Sequence, residues 1–209
     1  MKEYTIVKKT DWENVPEIEI AEKMLVDFTE DVRAYAKICY DSENLYVRLR
    51  AVEKDIRAEE EGYYAMPCED SCLEFFFSPD NNSKQYFNIE MNPKCTMFLG
   101  TATSIKDLLR LVLEKRDGVD DEATVKDPGF EPVSEKTADG WQLTYKVPFE
   151  FIRRFFPDFA PKSGDFMMAN AYKCGEKTKV EHYLAWNRVD PTVKCCFHNP
   201  DCFGKMIFG

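Results

Sequence analysis

Two stretches of the chain alternate strictly between apolar and polar positions. In residues 34–40 (AYAKICY), Ala34, Ala36, Ile38 and Tyr40 oppose Tyr35, Lys37 and Cys39. In residues 45–52 (LYVRLRAV), Leu45, Val47, Leu49 and Ala51 oppose Tyr46, Arg48 and Arg50. A repeat of two is the repeat of a strand, and Asp41-Ser42-Glu43-Asn44 between them supplies turn residues, so the pattern predicts a hairpin. A second hairpin is expected in residues 69–92 (EDSCLEFFFSPDNNSKQYFNIEMN). There Leu73, Phe75 and Phe77 share one face with Phe87, Ile89 and Met91, and a cluster of turn formers at residues 79–83 separates the two runs. The opposite face then carries Glu74, Asn88 and Glu90 together.

The remaining pattern is of the same kind. Residues 4–7 suit an edge strand, and residues 95–101, 131–137, 141–147, 166–172, 183–186 and 205–208 suit further strands. Two helices are expected: residues 105–116 (IKDLLRLVLEKR), from their apolar spacing, and residues 149–156, opened by Pro148 and stopped by Pro157. A shorter helical piece is expected at residues 56–61. Many short strands, frequent turns and little helix predict an all-β fold, an antiparallel β-sandwich of immunoglobulin or jelly-roll type with one or two short helices. Alternating βα units are missing, which argues against a nucleotide-binding α/β sheet. The length, 209 residues, fits one domain over 1–209 with a core that needs no disulfide staples.

Composition sharpens this. The 16 Phe and 10 Tyr favour strands. A net charge of −10 would repel a phosphate backbone or an anionic membrane surface, so neither nucleic acid nor membrane is an expected partner. The start, MKEYTIVKKTDW, has no apolar signal region, which as given points to the cytoplasm, or to an extracellular protein if an export signal has been removed. Eight cysteines without that signal, two of them adjacent, are expected as free thiols. Cys39 and Cys72, inside strands, would act as small buried hydrophobes.

No phosphate-binding glycine loop and no G-x-S-x-G elbow occurs. Cys195, Cys196, His198 and Cys202 form a thiol and imidazole cluster, but not with zinc-finger spacing, and a metal or thiol protein centred there is one alternative. Glu74 and Glu90, brought within about 5–10 Å across paired strands, are a second alternative, the carboxylate pair of a glycoside hydrolase. The third reading is non-catalytic sugar binding. Aromatic rings in loops, with Tyr63, Tyr64, Trp186 and Phe197 as candidates, would stack on the apolar C–H face of a sugar while Glu74, Asn88 and Glu90 hold its hydroxyls. The Asp80-Asn81-Asn82 turn offers oxygen ligands without the spacing of an EF-hand.

The hairpin AYAKICYDSENLYVRLRA, the segment PCEDSCLEFFFSPDNNSKQYFNIEMNPKCT and the ending HYLAWNRVDPTVKCCFHNPDCFGKMIF together resemble the carbohydrate-binding family 9-like proteins. These are related to the family 9 modules of xylanases and have a β-sandwich of the DOMON-like type. The resemblance spans about residues 34–208. It implies two aromatic rings that sandwich a terminal sugar, carried over to Tyr63 or Tyr64 and to Phe197. It implies polar contacts at Glu74, Asn88 and Glu90, with Lys194 where the modules place an amide. It implies a sugar ligand, no cofactor and no catalytic residue, with structural Ca²⁺ as a family feature; a start without an export signal points to mono- or oligosaccharide partners. Tyr and Phe stand here where the modules use Trp, and Asn88 stands in place of a basic residue.

Overall fold

The structure, a computed structural model, describes residues 1–112, 122–125, 127–190, 192 and 196–209. Its strands are β1 (Glu3–Lys8), β2 (Ile18–Ile20), β3 (Glu22–Lys23), β4 (Arg33–Tyr40), β5 (Asn44–Val52), β6 (Cys72–Ser78), β7 (Tyr86–Met91) and β8 (Met97–Ala102). They continue with β9 (Leu109–Val112), β10 (Glu122–Thr124), β11 (Val133–Lys136), β12 (Gly140–Pro148), β13 (Phe166–Gly175), β14 (His182–Ala185) and β15 (Gly204–Phe208). The α-helix among the described residues is α1 (Phe149–Arg153).

The strands form the two layers of a β-sandwich. One layer runs β10-β9-β8-β7-β6-β13-β15, with β14 and β3 continuing from one end of β13. The other runs β4-β5-β12-β11, with β2 beside β4. Both predicted hairpins are present: β4 pairs β5 antiparallel with Ala36 opposite Leu49, and β6 pairs β7 with Phe75 opposite Ile89. The layers are joined through β1. Its residues Glu3–Ile6 pair in parallel with β15, and Val7 and Lys8 pair with Cys39 and Tyr40 of β4. The strand expected at an edge therefore sits between two neighbours, where burial of Tyr4 and Ile6 holds it.

The core lies between the layers. Leu73, Phe75, Phe77, Phe87, Ile89 and Met91 meet Ile38, Val47, Leu49, Leu143 and Tyr145. Each such side chain contributes about 1.5–3 kcal/mol by leaving water. A buried polar group bridges the layers inside this core. Glu53, just past β5, accepts from Trp141 Nε1 (2.6 Å) and Ser71 Oγ (3.0 Å) and pairs with Lys173 Nζ (3.2 Å).

Two local expectations are corrected. Residues 105–112 are not helical: a 3₁₀ turn (Ile105–Asp107) leads into β9, which pairs with β8 at Leu111–Leu99. The Asp107 carboxylate accepts from the backbone N–H of Thr103 and Ser104, closing a tight turn, and the unpaired edge of β8 then recruits the chain. The expected continuation over 113–116 lies outside the described residues. Residues 56–61 are not helical either, because the N–H groups of Glu59 and Glu60 donate to the buried Asp70 carboxylate at 3.0 and 2.8 Å. The segment expected as 149–156 is shorter, ending as a helix at Arg153. No helix among the described residues is long and apolar enough to cross a membrane.

Candidate functional site

The outer face of the larger layer departs from the rule that one face is wet. Phe76, Tyr86, Tyr172 and Phe203 form a second apolar cluster there. Beside it the strand period sets Glu74, Asn88, Glu90 and Cys174 on the same face. Register makes them neighbours: Glu74 lies opposite Glu90 and Tyr172, Asn88 opposite Phe76 and Gly100, and Glu90 opposite Phe98.

Two loops wall this face. The first is fixed by Asp70, fully buried, which accepts from Glu59 N, Glu60 N, Arg57 Nη1 (3.1 Å) and Asn92 Nδ2 (2.8 Å). That anchor brings Met66 and Cys68 to the rim. The second runs from residue 196 to 203. It is seated by Tyr86 Oη against His198 Nδ1 (2.9 Å), Tyr172 Oη donating to Phe197 O (3.1 Å), and Asn187 Nδ2 donating to Cys202 O (2.8 Å). Between the loops lies a cleft of about 230 Å³. Its floor carries Glu74, Glu90 and Cys174, and its walls include Met66, Phe98, Leu108, Tyr183 and Phe197.

The carboxylates are 2% and 5% exposed, so their charged forms are poorly solvated. Burial, reinforced by the charge of Glu90, pushes the Glu74 carboxyl well above the usual range. Burial also pushes Glu90 up to about 7, opposed by the hydrogen bond from Asn88. Cys174 Sγ donates to Glu74 Oε1 at 2.8 Å, and Asn88 Nδ2 donates to Glu90 Oε1 at 2.8 Å. Near neutrality the pair therefore keeps a proton. Burial lowers His198 to about 4, so its ring is neutral there.

The structure brings Glu74, Glu90 and Phe197 to one cleft. Phe197 is half-buried, its ring stacked on Tyr172 at 4.0 Å and 13° and edge-on to Tyr183 at 6.1 Å. Asn88 has no exposed surface, and its Nδ2 donates to Glu90. Its Oδ1 has no hydrogen-bond partner and lies over Gly100, where a Cβ would come within 2.3 Å. Trp186 is corrected from a stacking platform to a core residue: it belongs to the inter-layer core and its ring edge fills the space above Gly204. Tyr63 lines a separate cleft with Lys94, Met97 and Phe130. Tyr64 lies beside Arg110, which donates to its carbonyl, and does not line the carboxylate cleft. Lys194 and Cys195 lie outside the described residues, as does the side chain of Cys196. Of the rest of that cluster, His198 is engaged by Tyr86, and Cys202 Sγ lies 3.3 Å from Asn199 Nδ2.

Sequence reasoning missed Met66, Phe98 and Tyr183 as walls. Phe98 follows from the β7–β8 register, since it lies opposite Glu90, but that register is set only once the turn after Asn92 is known. A larger groove, about 580 Å³, lies between residues 79–85 and 155–166, with no glutamate among its lining residues.

The chain matches the sequence profile of Carbohydrate-binding family 9 over residues 6–208. No curated protein matches it. Among solved structures it is similar to a protein from Bacteroides uniformis ATCC 8492, at 20% identity and a TM-score of 0.76, over 100% of this chain and 99% of that one. It is similar to a family 9 carbohydrate-binding module from Caldicellulosiruptor kristjanssonii in complex with glucose, at 13% identity and 0.68, over 100% and 96%. A cellotriose complex of a family 9 module from the same organism matches at 12% and 0.68, over 99% and 93%. At such identities the likeness is one of fold, whereas the profile match runs through nearly the whole sequence: this chain belongs to carbohydrate-binding family 9.

Proposed function

We propose that the protein binds a carbohydrate, without turning it over, in the cleft above Glu74 and Glu90. The observation that carries the reading is the cleft itself, which joins two adjoining acceptor groups on a rigid sheet to apolar and aromatic walls at its rim. A sugar ring presents hydroxyl donors at its edge and a C–H surface on its faces, which is the complement of that lining. The family membership and the relatives that hold glucose and cellotriose support the ligand class. A volume near 230 Å³ is below the ~300–1,000 Å³ typical of drug-sized sites, which favours one sugar ring, free or at a chain end.

Membership of a carbohydrate-binding family, and the similar modules that hold glucose and cellotriose, favour binding over hydrolysis. Calorimetric titration with mono- and oligosaccharides tests the proposal. Saturable binding without release of reducing sugar is expected, weakened by Glu90→Ala and Phe197→Ala. A screen that detects no ligand at millimolar sugar would refute it.

A further inference from the structure

We propose that Cys72, Glu74 and Cys174 form a binding site for a soft divalent metal ion, Zn²⁺ being the natural fit, at the floor of the cleft. Cys72 and Cys174 face each other directly across β6 and β13, and Glu74 is the next residue along β6 on that same face. The two sulfurs and a carboxylate oxygen all lie within 4.8 Å of one another. Tetrahedral Zn²⁺, with bonds of about 2.3 Å to sulfur and 2.0–2.2 Å to oxygen, needs ligand atoms about 3.5–3.8 Å apart. Cys174 Sγ and Glu74 Oε1, 2.8 Å apart, would separate by under about 1 Å to reach that spacing.

The chemistry of the surroundings points the same way. Each of the three groups carries a proton that a bound cation can displace, and a buried charge is tolerated where it coordinates a metal. The neighbouring cations also make bonds away from the three ligands. Lys173 Nζ pairs with Glu53 on the opposite face of the sheet, and the Arg110 guanidinium donates to the carbonyls of Tyr64 and Ala65. In the metal-free protein the proton between Cys174 Sγ and Glu74 Oε1 occupies the place of the ion. Two thiolates and one carboxylate favour Zn²⁺ over the hard cations Ca²⁺ and Mg²⁺. Glu74 and Cys174 line the cleft, so the fourth position opens to it, and the Cys68 thiol stands on the same wall. Binding displaces up to three protons, one from each of two thiols and one from the carboxyl, so affinity rises with pH.

The metal site shares Glu74 with the proposed sugar site, but the two tests are independent, since a metal titration needs no carbohydrate and a sugar screen needs no metal. The test is Co²⁺ titration of the reduced, chelator-treated protein, followed through thiolate-to-metal absorption, with Zn²⁺ as competitor. The expected result is one ion per chain, with the absorption lost in Cys72→Ala and Cys174→Ala and retained in Cys202→Ala. Glu74→Gln, which keeps the side chain's volume, should weaken binding at least about tenfold. X-ray absorption of the Zn²⁺-loaded wild-type protein reads the same ligands without any substitution, and two sulfurs plus oxygen are expected. Absence of thiolate-to-Co²⁺ absorption in the wild type overturns the proposal. So does absorption that survives both Cys72→Ala and Cys174→Ala, or a first shell without sulfur.

Discussion

Glu90→Gln should make the protein more stable, and only at higher pH. Glu90 is 5% exposed and its carboxyl is raised from 4.5 to about 7 by burial. Because the folded value lies above the unfolded one, the folded state holds a proton that the unfolded state has released. Folding therefore loses stability as pH rises from about 4.5 through about 7, and the full cost is present above that window. At about 1.4 kcal/mol per pKa unit the cost is about 3 kcal/mol. Glutamine removes the charge and keeps an oxygen to accept from Asn88 Nδ2. Two histidines complicate a single pH profile. His182 and His198 are both lowered to about 4, so their contribution rises with pH between about 4 and 6.5. They are present in both proteins and cancel in the difference. The assay is urea unfolding at pH 4.5 and pH 8. The variant should gain about 2–3 kcal/mol at pH 8 and change little at pH 4.5. A variant less stable than the wild type at pH 8, or an equal gain at both pH values, would refute the reasoning.

Two further substitutions probe the support of the site. Lys173→Met leaves Glu53 buried without its cation, and urea unfolding should show a loss of about 3–5 kcal/mol, part of it recovered in the double variant Lys173→Met/Glu53→Gln. Gly100→Ala drives a methyl to within 2.3 Å of Asn88 Oδ1, which should cost about 1–3 kcal/mol and weaken sugar binding by dislodging Asn88 from Glu90, as calorimetry would report.

Much of this molecule is legible in its residues. The period of two in residues 34–52 and 69–92 yields both hairpins and the shared face of Glu74, Asn88 and Glu90, because that period fixes facing without any knowledge of topology. What it cannot fix is what lies above the face. Asn88 and Glu90 have the same alternation, yet one is sealed beneath the second apolar cluster and the other borders a cleft, a difference that depends on where residues 98–108 and 196–203 fold back. Trp186 misleads for a related reason, since a tryptophan at a strand end suits a rim as well as a core, and Gly204 on a remote strand decides the matter. Residues 105–112 satisfy both periods locally, and pairing with β8 selects the strand. Cys72 and Cys174, far apart in sequence, meet only through the β6–β13 register.

The most direct test of the central claim is a map of ligand contact by NMR, following backbone amide shifts as glucose and cellotriose are added. Saturable shifts are expected at residues 66–68, 72–74, 88–90 and 196–203, around the carboxylate cleft. Shifts confined to residues 79–85 and 155–166, around the larger groove, or none at millimolar sugar, would contradict that claim.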